Sequence, residues 1–226
     1  MSKGTLYGVG VGPGDPELLT LKAARLLRDC DIIAIPQKKD RCFALRIVLD
    51  ALPELADKPL LEIVMPMTRD KDARARAHQK GAAALAEQLD KGLNVVYITL
   101  GDPTVYSTYG YLQRRIQEMG YETETVPGVP SFCAAAAALD ISLCEDRDEL
   151  HLLPGGINAD QALAYPGTKV FMKGEIPVLL DAAKNAGQTL VGVQNCGTEA
   201  EELYHSTEQI PPDAGYYTLI IAKENN

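Results

Sequence analysis

The triplet Gly-Asp-Pro occurs twice in this chain of 226 residues, as Gly14-Asp15-Pro16 and as Gly101-Asp102-Pro103, each behind an apolar, β-branched run. The two runs, 5–11 and 94–100, read as buried strands. Both triplets therefore fall at strand carboxyl ends, where open α/β sheets bind their ligands. Two such turns predict one ligand crevice served by both.

The first turn has the glycine spacing of a nucleotide loop, with Gly8, Gly10, Gly12 and Gly14 alternating. A dinucleotide fingerprint begun at Gly8 needs a glycine where Pro13 stands, and no Gly-Lys-Ser/Thr ending supplies a phosphate P-loop. Pro13 has no N–H to offer a phosphate. The helix expected next opens with Asp15 as N-cap, Pro16 at its first position and Glu17 behind, so carboxylates already occupy its positive end. A pyrophosphate would be repelled there. A nucleoside carrying positive charge would not, and S-adenosylmethionine, with its sulfonium and ammonium groups, is such a molecule.

Charge narrows the partners further. Thirty-one acidic residues against 22 basic ones give a net charge of −9, which disfavours nucleic acid phosphates and anionic membrane surfaces and favours a small-molecule partner. No apolar run approaches the roughly 20 residues of a membrane helix. Met1-Ser2-Lys3-Gly4 leads into a strand without a secretory apolar core, so the expected location is the cytoplasm. Cys30, Cys42, Cys133, Cys144 and Cys196 are odd in number and form no Cys-x-x-Cys pair; they read as buried free thiols. His78, His151 and His205 have no ligand spacing with them, so no metal site is expected.

Strand-like and helical runs alternate through the first half, which predicts α/β layering with parallel strands. Strands are expected at 5–11, 31–36, 60–64, 94–100 and 122–126, with amphipathic helices at 16–30 and 70–91. The turn Val126-Pro127-Gly128-Val129-Pro130 precedes an alanine-rich helix over 131–139. Beyond it, strands at Leu150–Leu153, 168–172, Leu190–Gln194, 202–206 and 216–222 predict a mixed sheet. With 46% hydrophobic residues the chain can fill two modest cores, and the expected division is 1–124 and 125–226.

Three segments together, Gly10 to Ala23, Gly101-Asp102-Pro103 and Pro127-Gly128-Val129-Pro130-Ser131, resemble the tetrapyrrole methylase family in order and spacing, and the similarity runs over nearly the whole chain. The longer stretch Gly101-Asp102-Pro103-Thr104-Val105-Tyr106-Ser107-Thr108, with Val170-Phe171-Met172-Lys173 and Asn195-Cys196-Gly197, is most similar to the branch that methylates carbon 20 of precorrin-2 or cobalt-factor II in cobalamin biosynthesis. The resemblance implies two α/β domains of the class III methyltransferase type with a cleft between them. It implies S-adenosylmethionine as methyl donor, S-adenosylhomocysteine as product, a small-molecule tetrapyrrole substrate and a homodimer. Carried over by motif, Pro13, Leu100, Gly101, Asp102, Val105, Pro130, Ser131 and Met172 are expected at the cofactor.

The remaining candidates are weighed by chemistry. Asp15 reads as an N-cap only, while Asp102 beside Gly101 reads as a ligand-binding turn. Tyr106, about one helical turn beyond Pro103, is the candidate catalytic residue, as an orienting group; Tyr109 and Tyr111 are expected to point elsewhere. His78, on a charged helix, reads as solvated. A polycarboxylate macrocycle on an acidic protein needs local cations, available at Lys38, Lys39 and Arg41, at Arg69, Lys71, Arg74 and Arg76, at Arg114 and Arg115, and at Lys173. Lys38, Lys39, Arg41 and Lys173 are the expected substrate-binding set. Competing readings are a methyltransferase of the same fold acting on uroporphyrinogen, ribosomal RNA or a diphthamide-type substrate, and a nucleotide-binding module without methyl transfer.

Overall fold

Five short aliphatic runs make the first sheet: β1 (Leu6–Gly10), β2 (Ile32–Ile35), β3 (Leu60–Glu62), β4 (Val95–Thr99) and β5 (Thr123–Val126). In this computed structural model, which describes residues 2–66, 68 and 70–223, they lie in the order β3-β2-β4-β1-β5, every pair parallel. A parallel sheet needs cover on both faces, and β4 is buried along its whole length. Four helices supply the cover: α1 (Leu21–Asp29), α2 (Phe43–Ala51), α3 (Lys71–Asp90) and α4 (Tyr109–Glu118).

Strand alternation sorts the core into two layers. Val96 and Ile98 of β4 pack with Leu26 and Leu27 of α1 and Ile47 and Val48 of α2. Val95 and Tyr97 turn to the other face, with Leu85 and Leu89 of α3 and Leu112 and Ile116 of α4. Right-handed crossovers give the same division, because α1 and α2 carry the chain outward from β1 to β3 and α3 and α4 carry it back. The direction reverses between neighbouring β1 and β4, which makes that pair the switch point of the sheet, the place where such sheets take their ligands.

The helix expected over 16–30 is broken in two. Pro16–Leu18 forms a single 3₁₀ turn; Leu19 and Thr20 are extended, and α1 starts at Leu21. Thr20 causes the restart, its Oγ1 accepting the Ala23 N–H at 3.1 Å as an N-cap. The other division that moves is the domain boundary. The two units are Met1–Pro130 and Ser131–Asn226, whereas 124/125 falls inside β5, which pairs with β1 from Leu6↔Thr123 to Val9↔Val126.

The second unit carries α5 (Ser131–Ala138), β6 (Leu150–Leu153), α6 (Ala159–Leu163), β7 (Thr168–Phe171), α7 (Ile176–Ala186), β8 (Leu190–Gln194), β9 (Glu202–Tyr204) and β10 (Thr218–Ala222). Its sheet runs β6-β7-β10-β8-β9. Only β6 and β7 pair in parallel, giving the mixed sheet expected. Leu153, Phe171 and Ile220 of the sheet pack with Leu163 of α6 and Leu179 of α7.

Of the burial expected for the five cysteines, only that of Cys30 and Cys42 holds; Cys133 and Cys144 are exposed and Cys196 is intermediate. Cys133 faces outward on α5 between buried Phe132 and Ala134, a position that the alanine-rich pattern around it does not mark. Among the described residues no helix is long and apolar enough to cross a membrane.

Candidate active site

The two Gly-Asp-Pro turns meet. β1 and β4 are neighbours running the same way, so the chain leaves both at one edge, and there Gly12 and Gly101 pair across the gap. The Gly101 N–H donates to the Gly12 carbonyl at 2.8 Å, and the Gly12 N–H returns a longer bond of 3.4 Å to the Gly101 carbonyl. Both glycines hold positive φ, 81° and 67°, which a side chain would strain. The third motif joins them through Gly128. A Cβ on Gly10 would lie 2.4 Å from the Gly101 oxygen, and one on Gly128 would lie 2.2 Å from the same atom.

Asp102 ties this junction together. It is only 8% exposed, and its Oδ2 accepts the Gly128 N–H at 3.0 Å while Oδ1 accepts the Thr104 N–H at 2.7 Å and the Thr104 hydroxyl. Capping and bridging therefore account for both oxygens. At the end of β1 the Asp15 carboxylate takes the Glu17 N–H at 2.8 Å, and Pro13 and Pro16 have none to give. The charged side chains at the two turns, Asp15, Glu17 and Asp102, are all acidic. The donor set fits a cationic ligand and does not fit a pyrophosphate. Pro13 is buried beside these groups, and Leu100 and Val105 are half-buried on the β4 side.

The chain from 103 to 108 is a turn, and α4 begins only at Tyr109. Two hydroxyl pairs pin it to β4: Thr99 Oγ1 with Ser107 Oγ at 3.1 Å, and Tyr97 Oη with Thr108 Oγ1 at 3.0 Å. Tyr106, between them, is 58% exposed with φ of 48°, a left-handed backbone rare for a bulky residue. The helical spacing that separated Tyr106 from Tyr109 and Tyr111 does not apply to a turn. All three line one cavity of about 280 Å³, with Pro103, Gln113, Arg114 and Thr125 among the other walls. Tyr109 forms its floor, buried, with its hydroxyl donating to the Glu124 carbonyl at 3.0 Å. Gly8 leaves room for that ring.

The cations divide into three places. Lys38, Lys39 and Arg41 follow β2 at the same sheet edge as the two turns, all exposed. The Lys39 N–H is held by Glu62 at 2.9 Å, and Arg41 lies 3.7 Å from Asp40. On the opposite face of the sheet, α3 and α4 carry Arg74, Arg114 and Arg115 around His78. His78, expected to be solvated, is half-buried: it stacks on Tyr111 at 4.7 Å, and its pKa is lowered by burial and then by Arg115, Arg74 and Arg114. In the second unit Lys173 donates to the Tyr216 hydroxyl and lies 4.7 Å over the Tyr216 ring. Met172, just before it, is half-buried, with its N–H on the Leu153 carbonyl at 3.0 Å. Pro130 and Ser131 are half-buried, Ser131 opening α5. Arg69 lies outside the described residues.

Among the described residues no group of three or more His, Cys, Asp or Glu side chains could hold a metal. Residues 5–211 match the family model of the tetrapyrrole (corrin/porphyrin) methylases. The chain belongs to this family. This methylase is 36% identical over 200 residues to the "Probable cobalt-precorrin-2 C(20)-methyltransferase" of Methanocaldococcus jannaschii, covering 87% of the chain and 84% of that relative. It is 30% identical over 235 residues to the precorrin-2 C(20)-methyltransferase of a Sinorhizobium species, covering 96% and 94%. Its fold is similar to that of the uroporphyrin-III C-methyltransferase of Thermus thermophilus complexed with S-adenosylhomocysteine, with a TM-score of 0.69, 23% identity and 98% of each chain covered.

Proposed function

We propose that this methylase transfers a methyl group from S-adenosylmethionine to carbon 20 of a reduced tetrapyrrole, precorrin-2 or cobalt-factor II, in cobalamin biosynthesis. The observation that carries the reading is the junction of Gly12, Gly101, Asp102 and Gly128 at the sheet's switch point, an acidic turn pair with prolines at positions 13, 16 and 103. The names of the relatives at 36% and 30% identity supply the substrate and the position on it. S-adenosylmethionine supplies an electrophilic methyl carbon on a sulfonium, and S-adenosylhomocysteine is the product.

Carbon 20 is conjugated to pyrrole nitrogens and is enamine-like, so no strong base is needed before attack; the methyl–sulfur bond breaks as the carbon–carbon bond forms, and a proton is then lost to water. The protein's task is alignment, which can contribute roughly 7–11 kcal/mol when the geometry is well set. Pro13, Leu100, Gly101, Asp102 and Val105 orient the donor, with the Asp102 charge beneath the turn favouring its cationic form. The same role is proposed for Pro130, Ser131 and Met172. Tyr106 orients the macrocycle. Lys38, Lys39 and Arg41 hold its carboxylates, and Lys173 does so with its ammonium already steered by Tyr216. The working unit is a homodimer in the cytoplasm, without a nucleic acid partner.

The test is incubation with precorrin-2 and with cobalt-factor II separately, each with methyl-labelled donor. The expected result is one added methyl, located at carbon 20 by carbon NMR. Transfer to another carbon, or to neither compound, would overturn the assignment.

A further inference from the structure

Resting on that reading, we infer that the cavity behind the Gly101-Asp102-Pro103 turn seats one carboxylate arm of the macrocycle, with Arg114 as its cation. Its volume, about 280 Å³, is below the roughly 300–1,000 Å³ of pockets that enclose a whole ligand. An arm fits where a tetrapyrrole does not. Pro103 and Thr104 belong to its wall, and Asp102 is the next residue back, so a ring whose arm enters here is held beside the donor turn.

The charge is right for an anion. The Arg114 guanidinium lies 5.1 Å from the Tyr111 ring centroid, and Tyr111 also stacks on His78. Among the described residues no carboxylate ion-pairs with Arg74, Arg114 or Arg115. In a chain of charge −9, these arginines form a local positive field on α3 and α4. Burial first, and then Arg115, Arg74 and Arg114, lower the pKa of His78.

The walls are set in advance. Gln113 is fastened to β5 by Nε2 bonds to Thr123 Oγ1 at 3.3 Å and Thr125 Oγ1 at 3.1 Å. Its neighbour Arg114 is left to point its planar fork, which matches a carboxylate in two parallel bonds. Tyr106 stands at the same cavity on a left-handed backbone, strain of the kind that collects at ligand clamps.

The probe is uroporphyrin, a polycarboxylate ring, titrated by fluorescence into the wild-type protein and into Arg114→Gln, Arg114→Lys and Arg25→Gln; a tetracationic porphyrin is the counter-probe. Arg114→Gln is expected to weaken uroporphyrin binding about tenfold, which is about 1.4 kcal/mol, with Arg114→Lys intermediate and Arg25→Gln, at an exposed position of α1, like wild type. In methyl transfer the same variant raises KM and leaves kcat unchanged. Thermal stabilisation by S-adenosylhomocysteine stays at the wild-type level, which checks that the fold is intact. Equal uroporphyrin affinity in Arg114→Gln and wild type would overturn the site, as would equal weakening toward the cationic porphyrin. Absence of methyl transfer by the wild type would instead overturn the function, and the affinity comparison would still decide the arm site.

Discussion

Gly128 has no room for a side chain, since a Cβ there would approach the Gly101 oxygen to 2.2 Å. Backbone on both sides prevents the neighbours from yielding. Gly128→Ala is expected to destabilise the first unit by about 1–3 kcal/mol, read as a lowered thermal midpoint, and to lose the stabilisation given by S-adenosylhomocysteine. At Asp102 the expected defect is chemical. Asp102→Asn keeps the shape but turns one acceptor oxygen into a donor against the Gly128 or Thr104 N–H, leaving a buried polar group unmet at a cost of about 1–3 kcal/mol. Weaker donor binding with little change in tetrapyrrole affinity is the expected split, measured by calorimetry. The three glycine motifs were legible because glycine and proline positions declare tight turns without any tertiary knowledge. Tyr111 and His78 were not, because their place in one cluster depends on α3 and α4 lying side by side and on 103–108 being a turn.

Strands were easier to read than helices. All ten lie within or next to the runs expected, because buried β-branched stretches bounded by turns carry their own signal. Four helices, α2, α4, α6 and α7, have no counterpart among the runs expected; α2, α4 and α7 lack a side-chain cap at the N-terminus, so the strongest local start signal is missing, and α6, capped by Asn158, is only five residues long. The break at Leu19–Thr20 was hidden because Leu18, Leu21 and Leu26 continue an apolar rhythm through it. Burial of α4's tyrosine against β4 also has a titration consequence. Tyr97 and Tyr109 are both pushed by burial from an ordinary 10.0 up to about 12, and Cys30 from 9.0 up to about 11. In the unfolded chain these groups lose their protons first, so above pH 9 the folded state binds more protons and stability falls as pH rises. Thermal midpoints are expected to hold below pH 9 and decline toward pH 12, less steeply in Tyr109→Phe. A midpoint indifferent to alkaline pH would contradict the burial of these groups.

A molecule of charge −9 that binds a polycarboxylate must do so through local fields, at Lys38–Arg41 and around Arg114. Substrate affinity is therefore expected to fall with ionic strength as screening shortens toward ~8 Å at physiological salt, while affinity for the cationic donor, held at the acidic turns, responds much less. Salt-independent substrate affinity would remove the electrostatic account. The central claim is narrower, that the paired turns of β1 and β4 receive the methyl donor. NMR titration of the labelled protein tests it most directly. S-adenosylhomocysteine is predicted to shift the amide signals of Gly12, Gly101 and Asp102, with ATP and NADH leaving them in place. Shifts at these amides by ATP or NADH, or none by S-adenosylhomocysteine, would contradict it.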